Sequence, residues 1–389
     1  MKQKCLFLLI LWGLACSWVC AKHMTETGQS VDEGFSQNSA PPCVGVYYYP
    51  WYKGPDRQWR QAMRLLLEEP QKPKSGLYDS RDPEVIAEHI EQTLRGGISF
   101  WAVSWWGPGS FTDLVFKDHI LAHPDASQLK YAILYESTGR FGRFQNPDYR
   151  TWMSDLEYLK DTYFEDPRYL KIDGRPVIFV YLSRVYFRNR GHDVLNEMRQ
   201  TFPEIYLVGD DVFQIEGSGD YKAEWAKPFD AITVYDVYGQ SIKPLGGTHK
   251  AVEFLAQNYQ QARQAANSVG TAFMPAIAPG YNDRAVRQGH PGRARYFTDS
   301  ENSKEGDIFR EMIRQAALPS MDPSADNIIM VTSFNEWYED TQIEATAGTA
   351  PPSRTDNSES GTYYTGGQTY VDYGCLYLDI LKEEVFGDQ

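Results

Sequence analysis

Positive charge is scarce in this 389-residue chain: 38 Lys and Arg stand against 52 Asp and Glu, a net charge of −14. That balance argues against a nucleic-acid or anionic-membrane partner, since either needs a basic face. Cysteine is nearly absent. Of five residues, Cys5, Cys16 and Cys20 lie at the extreme N-terminus, which leaves Cys43 and Cys375. Two thiols cannot build a structural zinc site. They either join the two chain ends in an oxidising compartment or stay separate and buried. His192, His249 and His290 fall in no His-Glu-x-x-His or His-x-His spacing, and Asp210-Asp211 lacks a third ligand at a fixed distance in sequence, so no metal is expected. There is no Gly-x-Ser-x-Gly elbow of a serine hydrolase and no Gly-rich phosphate loop after the first strand-like run, so no cofactor is implied.

Aromatic residues are abundant: Trp 10, Tyr 26 and Phe 19, or 14% of the chain. With 42% hydrophobic and 23% charged residues, the chain has material for a large core and is no disordered polymer. Residues 1–21 read as a signal peptide. Lys2 and Lys4 precede an apolar run, Leu6 to Val19, and Val19-Cys20-Ala21 fits cleavage after Ala21. Leu14-Ala15-Cys16 is an imperfect lipobox, the lipid-anchored alternative. Residues 22–42, rich in Ser, Thr, Gln, Asn and Glu, form a polar lead. Nothing later approaches the ~18 apolar residues of a membrane-spanning helix. The protein is thus expected to be exported, periplasmic or extracellular, with 43–389 as its catalytic domain.

In that domain eight short apolar runs recur: Val44 to Tyr49, Ile98 to Trp105, Tyr131 to Tyr135, Val177 to Leu182, Ile205 to Gly209, Ala231 to Tyr235, Ala272 to Ala278 and Ile328 to Phe334. Near-continuous apolarity suits strands buried on both faces of a parallel sheet. Helical patterns lie between them. Asp82-Pro83 caps one whose stripe is Val85, Ile86, His89, Ile90 and Leu94, and Gly96-Gly97 ends it. Asp148 to Tyr163, Asp193 to Phe202, Lys250 to Ser268, Asp307 to Leu318 and Leu376 to Val385 show similar periodicity. The alternation predicts an α/β fold, a single (β/α)8 barrel with long rim loops, rather than two domains. Ala345 to Gly367, rich in Gly, Thr, Ser and Pro, reads as a long loop after the eighth strand.

A barrel places its chemistry at the C-terminal strand ends. These ends carry Tyr48, Tyr49, Trp51, Trp105, Trp106, Glu136, Tyr235, Tyr281 and Asn335 beside Glu336 and Glu339. Aromatic faces stack on the C–H faces of sugars and carboxylates accept sugar hydroxyls, so the rim reads as a carbohydrate cleft. Glu336 and Glu339, three apart after a buried strand, can divide into an acid and a base or nucleophile if their surroundings separate their pKa values. The bland alternative is a solvated or ion-paired couple. Trp105-Trp106 is either a sugar platform or core. Glu136 either binds a hydroxyl or is merely exposed. Arg284, Arg287, Arg293 and Arg295 read as a solvated loop or as a reader of anionic substrate.

The string Thr332-Ser333-Phe334-Asn335-Glu336-Trp337-Tyr338-Glu339-Asp340-Thr341-Gln342-Ile343-Glu344 resembles the signature of glycoside hydrolase family 99, the endo-α-1,2-mannosidases and endo-α-1,2-mannanases. Tyr48 to Tyr52, Tyr78 to Pro83, Ser104 to Trp106, Phe229 to Ile232 and Ala278 to Tyr281 support it in the same order along the chain. The resemblance implies a (β/α)8 barrel and retaining endo-cleavage of α-mannan or a mannose-containing oligosaccharide. It implies that Glu336 deprotonates the sugar 2-hydroxyl to give a 1,2-anhydro sugar, and that Glu339 protonates the leaving oxygen and later activates water. Glu136 would hold the reacting sugar, Trp106 would line the −2 subsite in the manner of the mannanases, and Tyr235 and Tyr281 would be rim tyrosines. Tyr338-Glu339-Asp340 replaces the family's usual His-Glu-Gly, and Asp340 is expected to raise the pKa of Glu339. A non-catalytic carbohydrate-binding protein on the same barrel, or a hydrolase of another polysaccharide, are the alternatives. The sequence carries no signal of oligomeric state.

Overall fold

Ten strands organise the described residues: β1 (Cys43–Tyr48), β2 (Phe100–Trp105), β3 (Lys130–Tyr135), β4 (Lys171–Ile172), β5 (Arg175–Val180), β6 (Tyr206–Asp210), β7 (Ala231–Thr233), β8 (Ala272–Phe273), β9 (Ala276–Ile277) and β10 (Ile328–Val331). The structure, a computed structural model, describes residues 40–55, 59–213, 221–238 and 246–387. Residues 1–21, expected as a signal peptide, and nearly all of the polar lead lie outside these residues. Residues Pro42–Gln389 gather into one compact unit.

The sheet order is β8-β7-β6-β5-β3-β2-β1-β10-β9, with every neighbouring pair parallel. β4 is a short antiparallel addition to β5. The seventh apolar run, expected as one strand, is two pieces around Met274-Pro275, because proline has no N–H for a ladder. β8 bonds β7 while β9 bonds β10. Met274 N donates to Ile232 O (2.9 Å) and Met330 N donates to Pro275 O (2.9 Å). Both sheet edges therefore meet on the segment 272–277, and the ring of eight strand positions closes as a (β/α)8 barrel.

Side chains alternate in and out along each strand. Gly45, Tyr47, Phe100 and Phe179 point inward. A Cβ on Gly45 would lie 2.0 Å from the Phe100 ring, so glycine leaves the space that ring fills. The outward set packs on helices. Trp101, for instance, donates from Nε1 to Thr93 Oγ1 (2.9 Å) on the helix Pro83–Arg95. That helix starts as expected, with the Asp82 side chain accepting from Glu84 N. His192–Thr201, His249–Asn267 and Leu376–Phe386 are the helices expected there.

Two expectations need trimming. The sixth run leaves the sheet after Thr233, because Asp210 Oδ1 takes the Tyr235 N–H (2.8 Å) in place of a strand partner. Helix begins at Trp152 rather than Asp148, whose carboxylate is engaged by Arg150 N and guanidinium instead. Residues 345–367 form neither helix nor strand and are tied down by bridges such as Leu67↔Asp356 and Ser353↔Tyr370. Cys43 and Cys375 are free thiols, so no disulfide joins the chain ends. No helix among the described residues is long and apolar enough to cross a membrane.

Candidate active site

The turn after β10 is built to be rigid. Glu336 N donates to Ser333 Oγ (2.8 Å), Ser333 N donates to Thr341 O (2.8 Å) and Ile343 N returns to Ser333 O (2.9 Å). Asn335, fully buried, grips the end of β1. Its Oδ1 accepts from Tyr49 N (2.7 Å), and its Nδ2 donates to Tyr49 O (3.1 Å) and Tyr78 Oη (3.2 Å). Asn335 is therefore a clamp between two strand ends and does not face the cleft. Behind it runs a buried chain absent from the sequence reading. Tyr48 Oη bonds His89 Nδ1 (2.9 Å), His89 Nε2 bonds Glu344 Oε1 (3.1 Å), and Glu344 Oε2 accepts from Tyr78 Oη (3.0 Å) and Trp337 Nε1 (2.7 Å). An apolar-helix histidine, His89, was the available signal.

Strand parity corrects two further expectations. Tyr48 points outward, stacked on Trp101 at 4.0 Å, and Trp105 points outward, its Nε1 donating to Asp113 Oδ1 (2.7 Å). Each lies one residue from an inward position, Tyr49 and Ser104, and both are fully buried core.

The other predicted residues converge. Tyr49 Oη donates to Tyr235 Oη (2.7 Å), and Tyr235 Oη donates to Glu339 Oε2 (3.4 Å). Glu336 Oε1 accepts from Tyr338 N (2.8 Å). Ser104 Oγ donates to Glu136 Oε1 (2.6 Å) and accepts from Trp106 Nε1 (3.0 Å). Trp106, 36% exposed, stands 6.4 Å from Trp51, which stacks on Tyr338 at 5.5 Å and 16°. The result is an aromatic wall on one side of two buried glutamates, Glu136 and Glu336, and the half-buried Glu339. On the other side a cavity of about 180 Å³ is lined by Tyr181, Tyr235, Asp236, Tyr281, Arg287 and Glu339. A larger cavity, about 960 Å³, opens at the opposite strand ends around Arg175, Tyr206 and Asp230. It too holds two carboxylates, Asp173 and Asp230, but Asp230 is already paired with Arg175 and Arg199.

Burial drives the electrostatics. It raises Glu336 well above an ordinary glutamate, and the charge of Glu339 adds to the rise. Glu339 is also raised by burial, but the Arg287 guanidinium pulls it back, while Asp236 and Asp283 push it up. Burial pushes Glu136 to about 8, against the Ser104 hydrogen bond and with help from Glu339 and Asp210. Asp340 does not act as expected. Burial alone would raise it, but Arg295 and Arg64 outweigh that and hold it below the usual carboxylate range. Its Oδ1 accepts from Arg64 Nε (2.6 Å) and Arg295 Nη2 (3.2 Å). The carboxylate is neutralised away from Glu339.

The arginine cluster likewise is not one solvated group. Arg295 is buried on Asp340, whereas Arg287 Nη1 donates to Glu339 Oε1 (3.0 Å) and Asp283 Oδ2 (2.8 Å). Asp210 pairs with Arg184, and Asp211 with Arg188 and Tyr221. Among the described residues no cluster of three His, Cys, Asp or Glu is placed to hold a metal.

A raised carboxyl makes stability fall as pH rises. The unfolded chain sheds the Glu136 proton near the ordinary glutamate value, while the native state keeps it up to about 8. The stabilising contribution is therefore whole at acid pH and lost on the way to that value. Glu136→Gln is expected to flatten the decline of Tm between about pH 5 and about pH 8. An unchanged slope in thermal unfolding scans would count against a protonated Glu136.

A parallel barrel carrying paired carboxylates beside an aromatic wall at its C-terminal rim has the construction of a glycoside hydrolase. The chain belongs to glycosyl hydrolase family 99, whose family model matches residues 67–198 and 246–372. It is 24% identical over 389 residues to the glycoprotein endo-alpha-1,2-mannosidase of Rattus norvegicus, covering 87% of this chain and 73% of that protein. It is 25% identical over 386 residues to a glycoprotein endo-alpha-1,2-mannosidase-like protein of Homo sapiens, covering 87% and 74%. The fold is that of the family 99 endo-alpha-mannosidase of Bacteroides thetaiotaomicron, with a TM-score of 0.60 at 22% identity over 88% of this chain and 96% of that one.

Proposed function

We propose that this glycoside hydrolase is an exported, endo-acting enzyme that cuts internal α-1,2-mannosidic bonds of an α-mannan with retention. The observation that carries the reading is the pair of carboxylates, the buried Glu336 and the half-buried Glu339, held on a rigid turn in a family whose named relatives are endo-α-1,2-mannosidases.

In the first step the Glu336 carboxylate takes the proton of the 2-hydroxyl. O2 attacks C1, the glycosidic bond breaks, and Glu339 gives its proton to the departing oxygen. In the second, the Glu339 carboxylate takes a proton from water, the water oxygen attacks C1, the C1–O2 bond breaks, and O2 recovers its proton from Glu336. Two inversions give net retention. A 2-hydroxyl is a weak nucleophile at neutral pH, so a placed base is needed. In an α-mannoside the axial 2-hydroxyl lies trans to the leaving oxygen, which opens the back face. Trp51, Trp106, Tyr235 and Tyr281 would contact sugar, and Glu136 would hold the reacting residue.

A non-catalytic binding role drew its support from Asp340, and the pairing of Asp340 with Arg64 and Arg295 removes that support. Incubation with yeast α-mannan and, separately, with a glucosylated mannose oligosaccharide tests the reading. Internal cleavage with preference for the mannan is expected. Binding of mannan without any product would sink it.

A further inference from the structure

The free protein divides charge between the two glutamates the wrong way round for the first step. That step needs Glu336 charged and Glu339 protonated. Here Arg287 Nη1 donates to Glu339 Oε1 (3.0 Å), which favours charge on Glu339. A charged Glu339 in turn favours the proton on Glu336. The same contact hinders the acid's work, because an N–H donor occupies Oε1 while Tyr235 Oη engages Oε2 (3.4 Å). Arg287 is also free to retreat. Its side chain is 48% exposed, and Nη1 is shared with the fully buried Asp283 (2.8 Å), so releasing Glu339 leaves it an anion.

We propose that Arg287 is a positioning residue that sets which carboxylate carries the proton: it grips Glu339 in the free enzyme and falls back on Asp283 when the leaving group enters the cavity beside Tyr281. The inference rests on the reading of Glu339 as acid and Glu336 as base. It gives the contact a use in both steps. Its absence lets Glu339 hold a proton for the leaving oxygen. Its return stabilises the carboxylate that the first step leaves behind, which then takes the proton of water.

Other groups also face Glu339, and they set the background against which Arg287 acts. From its own turn comes Glu336, from the end of β3 Glu136, and from the end of β7 Tyr235 and Asp236. Tyr49 and Tyr181 follow β1 and β5. After β9 stand Tyr281 and Asp283, with His290 Nδ1 on Asp283 Oδ2 (3.0 Å). These stay in place when Arg287 is replaced.

The test is the pH profile of kcat/KM on yeast α-mannan for wild type, Arg287→Gln and Arg287→Lys, with Arg287→Ala as a second neutral variant should the glutamine protein fold poorly. Loss of the positive charge lets Glu339 keep its proton to higher pH. Glu339 is the more acidic of the two carboxyls in the free enzyme, so its titration is the acidic limb of kcat/KM, and that limb is expected to move up by about one pH unit in the neutral variants, the lower end of what an adjacent opposite charge imposes. The lysine variant should stay near the wild-type limb. An acidic limb that does not move in either neutral variant, whatever happens to KM, overturns the inference and leaves Arg287 a substrate contact or a structural residue. Glu339→Gln is assayed in parallel. If it retains wild-type activity, the acid assignment itself fails, whereas an inactive Glu339→Gln with an unmoved limb sinks only the role of Arg287.

Discussion

Glu336→Gln and Glu339→Gln are each expected to lower the rate of internal α-mannan cleavage by about 10²–10⁴-fold, the usual worth of a placed acid or base, while leaving mannan binding in place. The amide keeps the shape of each side chain. In Glu336→Gln the amide oxygen would still accept from the Tyr338 N–H, as the carboxylate oxygen of Glu336 now does. Only the ability to take or give a proton is lost. The two groups act in one concerted step, so the double variant should be little worse than either single one. The check is kcat and KM on mannan together with a binding isotherm for each variant. Wild-type rates in both would remove Glu336 and Glu339 from the chemistry.

Asp340→Ala is expected to destabilise the fold by about 3–5 kcal/mol, the cost of breaking a buried ion pair from one side. Asp340 is the anion between Arg64 and Arg295, and all three are buried. Arg64 also contacts Gln71 and the Tyr370 and Tyr373 rings, at 5.3 and 5.1 Å to their centres. Glu305, 3.7 Å from Arg64, is the other anion at this cluster. Removing Asp340 therefore leaves two guanidiniums sharing one carboxylate in low dielectric. Alanine also inherits a backbone φ of 51° at this position, which a short polar side chain such as aspartate tolerates better than alanine does. Urea or thermal unfolding reads the loss directly. A variant within about 0.5 kcal/mol of wild type, the range of an ordinary surface change, would mean that the cluster contributes nothing net. The pH profile of catalysis should not move, because the charges acting on Glu339 are those of Arg287, Asp236 and Asp283.

Most of the barrel was legible because hydrophobic runs of strand length alternate with helical periodicity, and the helix start at Asp82-Pro83 obeys capping rules that act within one turn. The rim was legible for the same reason: a strand end names the residues that follow it. Which of two neighbours faces inward was not. Tyr48 and Tyr49, or Ser104 and Trp105, differ by one step, and a run buried on both faces carries no alternation to assign parity. The partners of charges were hidden more deeply. Asp340 looked like a perturbing charge beside Glu339, but its neutralising arginines are 276 and 45 positions away in sequence. Arg287, one of four arginines in a short stretch, is set apart from Arg295 only by what the folded loop brings near: Glu339 for the first, Asp340 for the second. Asn335 read as a sugar contact because it adjoins Glu336, and the structure uses it to lock the end of β1.

Proton NMR of wild-type enzyme on yeast α-mannan, following the anomeric signals of the new reducing ends from the first minutes, reads both the cleavage pattern and its stereochemistry. Internal cleavage is expected, with α-configured ends appearing first and β-anomers growing only by mutarotation. Initial release of β-configured ends, or loss of single mannose units from chain ends, would contradict retaining endo-cleavage by Glu336 and Glu339.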